Sequence, residues 1–373
     1  MLTQKTLNAH GKVYFLEFDH ITHIAPTRIT DGFDKNSQNQ MVVEIPGAPN
    51  KCANETETLN LMYRDFILCM ANGAAMWWFD MFDGWFRSKG MLDAIGKMVG
   101  IADTLSEVSC ESAAEIAVFA EGESMFRVRK NSNLATVCLS DIRRSLAECG
   151  APYDLYSIAD VESLQTDNYK MYIFVNQYDI TENTRKSIER KLSNGGKTVL
   201  WLYAPDYANG GKLDVNNISK LTGITAAESK NPHGKLVFGG KMYDYPLAAP
   251  YFSVSDSGAE SIAYFEDETS AVAQKTVGGN KIVYCAACNI PSELLRYIAE
   301  NSGIFVYSKN TKVYTYINSG MVGVYNASGS DTEIYLPKDG SYKDLISGAT
   351  FECKNGRLEI KLRDINAYLL KQE

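Results

Sequence analysis

Hydrophobic positions along the chain fall into three stretches of different period. The first opens with Val13-Tyr-Phe-Leu-Glu-Phe18, an almost continuous apolar run of the kind a parallel strand shows when both faces are covered; its one interior charge is Glu17. A loop from His20 to Asn54 follows, long enough to suggest a functional segment and holding Pro26, Pro46 and Pro49. Thr56 to Met70 then places apolar residues at spacings of three and four, which predicts an amphipathic helix that Gly73 ends, with Asn54 as its N-cap. Ala74-Ala-Met-Trp-Trp-Phe79 reads as a second buried strand closing at Asp80, and a further helix completes the stretch before Ser106.

From Glu115 to Tyr307 strands and helices alternate. Ile116–Phe119, Tyr153–Tyr156, Met171–Val175, Thr198–Leu202 and Ile282–Tyr284 read as short buried strands, with helices such as Leu134–Cys149 and Thr184–Ser193 between them. Alternation of this kind predicts an α/β doubly wound parallel sheet. Pro205 to Asn280 is less regular and reads as a turn-rich insertion. From Lys312 the period becomes two, with strands at Val313–Ile317, Val322–Tyr325, Glu333–Leu336, Arg357–Leu362 and Ala367–Leu370 and turn signals such as Lys354-Asn-Gly356, which predicts a small antiparallel β-sandwich.

Composition narrows the function classes. Of 373 residues, 37 are basic and 45 acidic, a net charge of −8, which argues against a general nucleic-acid binder. No run approaches the roughly 18 apolar residues of a membrane span, and Met1 to Lys12 lacks an apolar signal core, so a soluble, cytoplasmic protein is expected. The eight cysteines have no disulfide spacing, and Cys285-Ala-Ala-Cys288 lacks the second pair or histidines that zinc needs. No phosphate-binding glycine loop joins a strand to a helix, and no nucleophile elbow appears, so the parallel sheet reads as structural and no cofactor or metal is expected.

The candidate chemistry gathers at the ends of the first two strands. Glu17 would be costly in a covered strand unless used or paired, the pairing partners being Arg28 or Arg64. Asp80 and Asp83, with Trp77, Trp78 and Trp85, suit a sugar site, because aromatic rings stack on a pyranose while carboxylates accept its hydroxyls. One of Trp77 and Trp78 belongs in the core, since strand neighbours face opposite sides. His20 and His23, near Asp19, read as a surface or substrate-contacting pair rather than a metal site.

Gly11-Lys-Val-Tyr-Phe-Leu-Glu-Phe-Asp19, Arg64-Asp65 with Gly73-Ala-Ala-Met-Trp-Trp-Phe-Asp-Met81 and Gly84-Trp85, and Gly196-Lys-Thr-Val-Leu-Trp-Leu-Tyr-Ala-Pro205 resemble the carboxyl-terminal part of the β-galactosidases of glycoside hydrolase family 42. The resemblance implies the last two βα units of a glycosidase-type barrel over 1–110, a flavodoxin-like trimerisation domain over 111–307 and a small β-domain over 308–373. It implies Glu17 as nucleophile, Asp19 as its competitor, a carbohydrate substrate contacted by Trp77, Trp78, Asp80, Asp83, Trp85, His20 and His23, and a homotrimer, with a dimer as alternative. A full barrel takes around 250 residues, so six strands are missing from such a chain, including the one that carries the family's general acid. A retaining hydrolase needs two carboxyl groups, and this chain supplies one. The expectation is therefore a portion of a hydrolase, inactive by itself and completed by a chain carrying the missing strands. The alternative is a non-catalytic oligomerisation or carbohydrate-binding protein.

Overall fold

The computed structural model describes residues 4–25, 51–80, 84–164 and 168–373, with the backbone alone of Arg28–Thr30 and Val42–Glu44. The chain divides into two compact units, one of Met1–Lys12 with Ala113–Lys312, the other of Val13–Ser112 with Val313–Glu373. In chain order the first elements are α1 (Gln4–Ala9), β1 (Phe15–Phe18), β2 (Arg28–Thr30), β3 (Val42–Glu44), α2 (Glu55–Asn72), β4 (Ala75–Trp78) and α3 (Lys89–Leu105). Local chemistry sets the ends of α2. Asn54 Oδ1 accepts the Glu57 N–H at 2.9 Å, and Glu57 Oε2 accepts the Ala53 N–H at 2.6 Å. Gly73, at φ 61°, closes the helix in the left-handed conformation that a side chain would resist.

The first unit carries β5 (Ile116–Ala120), α4 (Ile142–Glu148), β6 (Tyr153–Ser157), β7 (Met171–Phe174), α5 (Glu182–Leu192), β8 (Thr198–Leu202), α6 (Val215–Thr222), β9 (Ala226–Ser229), β10 (Lys235–Phe238), β11 (Lys241–Asp244), β12 (Tyr251–Val254), β13 (Glu260–Phe265), β14 (Ser270–Val277), β15 (Asn280–Cys285) and α7 (Ser292–Glu300). Its parallel strands lie in the order β6-β5-β7-β8-β15, the 2-1-3-4-5 arrangement of a doubly wound sheet. β5, β7 and β8 are buried along their whole length, as strands covered on both faces must be.

The expected turn-rich insertion after Pro205 is instead built from α6 and six strands, β9 to β14, which extend the sheet antiparallel beyond β15. These strands escaped the hydrophobic pattern because several, such as β10 and β11, are short and half-exposed. A ligand crevice in such sheets lies at the strand ends where the order reverses. Here two side-chain amides bridge those ends: Asn176 pairs with the Glu121 N–H at 2.8 Å and C=O at 2.6 Å, and Gln177 donates to Phe119 O at 2.9 Å. α1 belongs to this unit as well. Thr6 donates to Asp160 and accepts from Ser157 N, while His10 Nε2 meets Asp160 Oδ1 at 2.8 Å.

The second unit ends in β16 (Val313–Ile317), β17 (Val322–Asn326), β18 (Thr332–Tyr335), β19 (Gly340–Asp344), β20 (Thr350–Lys354), β21 (Arg357–Ile360) and β22 (Ala367–Gln372). They pair antiparallel in one continuous seven-stranded sheet, β16-β17-β22-β19-β20-β21-β18, where two separately paired sheets were expected. α2 lies across β17 and β22 and buries Met62, Phe66 and Ile67. A Cβ at Gly323 would come within 2.1 Å of Ile67 Cγ2 and 3.0 Å of Tyr316 O, so the helix can sit this close only over a glycine. Gly323→Ala is expected to cost about 2 kcal/mol. Chemical denaturation, read by the shift in midpoint at constant slope, checks it, and an unchanged midpoint would show that the helix can move aside.

Candidate functional site

β1 and β4 pair in parallel, Phe15 opposite Ala75, Leu16 opposite Met76, Glu17 opposite Trp77 and Phe18 opposite Trp78. Strand alternation sorts these residues by face. Phe18 is fully buried and Trp78 packs beside it against the core of this unit. Phe15, Glu17 and Trp77 share the opposite face, where Phe15 is 58% exposed and Glu17 is exposed. The Phe15 and Trp77 rings stack at 6.3 Å, and Phe79 meets Trp77 edge-on at 5.4 Å. Glu17 thus stands on an aromatic surface open to solvent.

Two expectations about β1 change. The strand is covered on one face only, Phe18 being buried while Phe15 and Glu17 are exposed, and among the described residues β1 and β4 form a two-stranded sheet with no neighbour on either edge. Nor does Arg64 pair with Glu17. Its guanidinium is held 2.7 Å from Asp65 Oδ1, and Asp65 is itself buried. The Arg28 side chain lies outside the described residues. Among those described, the Glu17 carboxylate has neither a hydrogen bond nor an ion pair, and Asp19, directly after the strand, is exposed.

The other candidates go to different places. His20 Nε2 lies 3.1 Å from Asp65 Oδ2 and 2.9 Å from Arg64 Nη2; it can donate to the first or accept from the second, but not both. His23 sets its Nδ1 and its backbone N–H against Thr58 Oγ1 at 3.1 and 3.2 Å. The two histidines therefore engage different residues of α2 and do not converge. Asp80 spends both oxygens on the chain ahead, accepting Gly84 N at 3.0 Å and Trp85 N at 2.9 Å. Trp85 is 2% exposed and lies in the core with Phe86, its carbonyl accepting the Thr22 hydroxyl at 2.5 Å. The indole N–H groups of Trp78 and Trp85 are buried without a partner among the described residues, and Asp83 lies outside them.

Away from this face, burial pushes the thiols of Cys285 and Cys288 up to about 12, so both stay protonated and inert at neutral pH. Among the described residues no cluster of three histidine, cysteine or carboxylate side chains could hold a metal ion. Among the described residues no helix is long and apolar enough to cross a membrane. Sequence reasoning missed Phe15 and Phe79 as the aromatic neighbours of Glu17. The signal was present, since Val13, Phe15 and Glu17 alternate with Tyr14, Leu16 and Phe18, and alternation predicts one open face.

No protein-family profile matches the chain, and no curated protein does either. Solved structures do. The β-galactosidase from Bacillus circulans sp. alkalophilus is 14% identical with a TM-score of 0.64, over 84% of this chain and 52% of that one. The polyextremophilic β-galactosidase from the haloarchaeon Halorubrum lacusprofundi is 13% identical with a TM-score of 0.61, over 98% of this chain and 54% of that one. An α-L-fucosidase, isoenzyme 2 from Paenibacillus thiaminolyticus, reaches a TM-score of 0.53 at 11% identity, over 84% of this chain and 57% of that one. The chain thus spans about half the length of the solved structures it matches, and its fold is similar to about half of a β-galactosidase of glycoside hydrolase family 42.

Proposed function

We propose that the chain is the carboxyl-terminal portion of a retaining, β-galactosidase-like glycoside hydrolase, in which Glu17 is the nucleophile and Trp77 stacks on the sugar. The single observation that carries this reading is an exposed glutamate, its carboxylate without a partner among the described residues, on the open aromatic face of two parallel strands, in a fold like that of the β-galactosidases. β1 and β4 are then the last two strands of a barrel, 111–307 a trimerisation domain and 308–373 the small β-domain of the lineage. In the reaction Glu17 attacks the anomeric carbon and a second carboxyl group, about 5 to 5.5 Å away, protonates the leaving oxygen and then activates water. Asp80 does not serve as that group, because both its oxygens hold the loop ahead of it. The acid therefore comes from the remaining barrel strands, on the same or another polypeptide. The enzyme is a homotrimer, and its eight free thiols suit a reducing cytoplasm.

Hydrolysis of a panel of nitrophenyl glycosides, galactosides foremost, tests the reading with the chain alone and mixed with a polypeptide carrying the remaining strands. No turnover alone and turnover in the mixture is the expected result. Turnover by the chain alone would overturn the need for a partner, and silence in both would overturn the hydrolase. Silence with sugar binding that Trp77→Ala abolishes would instead favour the second reading, a non-catalytic carbohydrate-binding or oligomerisation protein. What recommends that alternative is that, among the described residues, the only carboxylate sharing the aromatic face of β1 and β4 is Glu17 itself. Light scattering decides assembly, a monodisperse monomer excluding the trimer.

A further inference from the structure

A second site of different construction lies in the unit of Val13–Ser112 and Val313–Glu373. The first turn of α2, the turn after β17 and the segment between β21 and β22 line an open surface groove of about 690 Å³, within the roughly 300 to 1,000 Å³ range of small-molecule sites. Its walls are fixed by groups that are already satisfied. Asn60 donates to Asp364 O at 2.7 Å and accepts Asn366 N at 2.7 Å, tying α2 to the segment before β22. Asn326 closes the turn after β17, donating to Ser330 O at 2.9 Å and accepting from Ser328. The Arg363 guanidinium is spent on Asp344, Ile365 O and Ala367 O and lies 3.9 Å over the Tyr368 ring. The groove is therefore preorganised, and the charge of Arg363 is countered by Asp344.

What remains free has a distinct chemistry. The Asp364 carboxylate, the Thr56 hydroxyl and the Tyr325 phenol have no side-chain hydrogen bond among the described residues, and Leu362 is 43% exposed. Burial raises the Tyr325 pKa, so its phenol stays a neutral donor. A carboxylate accepts two adjacent hydroxyls, and phenol and threonine hydroxyls can both donate and accept. The Tyr325 ring and Leu362 supply apolar surface for the C–H face of a ring. Glu57 and Asp364 make the groove acidic, and the amide end of α2 is already capped by Asn54 and Glu57, so it is no anion site. From this combination we infer that the groove binds a neutral saccharide, independently of Glu17 and of any hydrolase activity.

Calorimetric titration of the whole chain with lactose, with cellobiose and with digalacturonate tests the inference. Lactose or cellobiose should bind with a Kd of about 1 mM, and the anionic digalacturonate should not. Asp364→Asn should weaken the neutral sugar at least about tenfold, and Leu362→Asp, also on an exposed side chain, should abolish binding with unchanged circular dichroism. Lys186→Ala, at an exposed position of α5 in the other unit, should leave binding as it is. Three results would overturn the inference: no binding of either neutral sugar at about 20 mM, equal binding of digalacturonate, or binding lost in Glu17→Gln but kept in Asp364→Asn. Uptake of calcium alone, lost in Asp364→Asn, would equally overturn it and make the groove a cation site. Loss of hydrolysis in a reconstituted enzyme leaves this groove untouched, so the two readings fail separately.

Discussion

Asp344→Ala is expected to destabilise the unit that carries Glu17 by about 3 to 5 kcal/mol. Asp344 is fully buried and, among the described residues, is the most heavily bonded carboxylate of the seven-stranded sheet. It accepts Ile346 N and Ser347 N at 3.1 Å, Leu369 N at 3.0 Å, the Ser347 hydroxyl at 2.5 Å and Arg363 Nη2 at 2.6 Å. Alanine would leave buried donors without acceptors and a guanidinium, three-quarters covered, without its counter-charge. The loss exceeds that of a typical core substitution because the Ile346 and Leu369 amides are buried and cannot rehydrate without opening the sheet between β19 and β22. Thermal unfolding followed by circular dichroism should show one transition lowered by on the order of 10 °C. Asp344→Asn keeps an acceptor oxygen and should lose less. A shift equivalent to under about 1 kcal/mol for the alanine variant would mean that water replaces the carboxylate, and that the Arg363 wall of the groove does not depend on it.

The parts of this molecule that were legible in its sequence are those decided within a few residues. Asn54 and Gly73 mark the ends of α2 because caps satisfy local backbone groups, and β5, β7 and β8 declare themselves as continuous apolar runs. β1 misled for the same reason: Tyr14, Phe15, Leu16 and Phe18 look apolar on both faces, yet among the described residues nothing packs over the face of Phe15 and Glu17. β19 and β20 carry Lys343, Glu352 and Lys354 on exposed positions around buried Tyr342 and Cys353, a pattern that resembled a polar turn region. α1 buries no residue and is held by Thr6 and His10 through Asp160, partners some 150 positions away that no local pattern discloses. The candidate site divides along the same line. That Trp77 and Trp78 face opposite ways follows from strand geometry, whereas the commitment of Asp80 to the Gly84 and Trp85 amides, and of His20 to Asp65, is decided by tertiary folding.

If the hydrolase reading is right, Glu17 and Asp19 must differ by orders of magnitude in the reconstituted enzyme. The parallel ladder runs out at Phe18, whose carbonyl accepts Phe79 N at 3.0 Å, so Glu17 is fixed by backbone bonds on both sides while Asp19 follows after the last of them. A nucleophile must be held to within a fraction of an ångström of the anomeric carbon, and only a side chain on the strand itself has that constraint. Glu17→Gln should therefore lower kcat on the preferred nitrophenyl glycoside by on the order of 10⁴-fold or more, with KM little changed, while Asp19→Asn should cost less than about tenfold. Replacement by alanine separates a nucleophile from a merely structural acid. Azide can enter the space left by the Glu17 carboxylate and attack the anomeric carbon from the same side, so Glu17→Ala should recover turnover with added azide and release a glycosyl azide of inverted configuration. Asp19→Ala has no such vacancy on the reaction path and should not respond. Rescue of Asp19→Ala but not of Glu17→Ala would transfer the role to Asp19 and make Glu17 a charge on the aromatic wall, with Trp77 still the platform for the sugar.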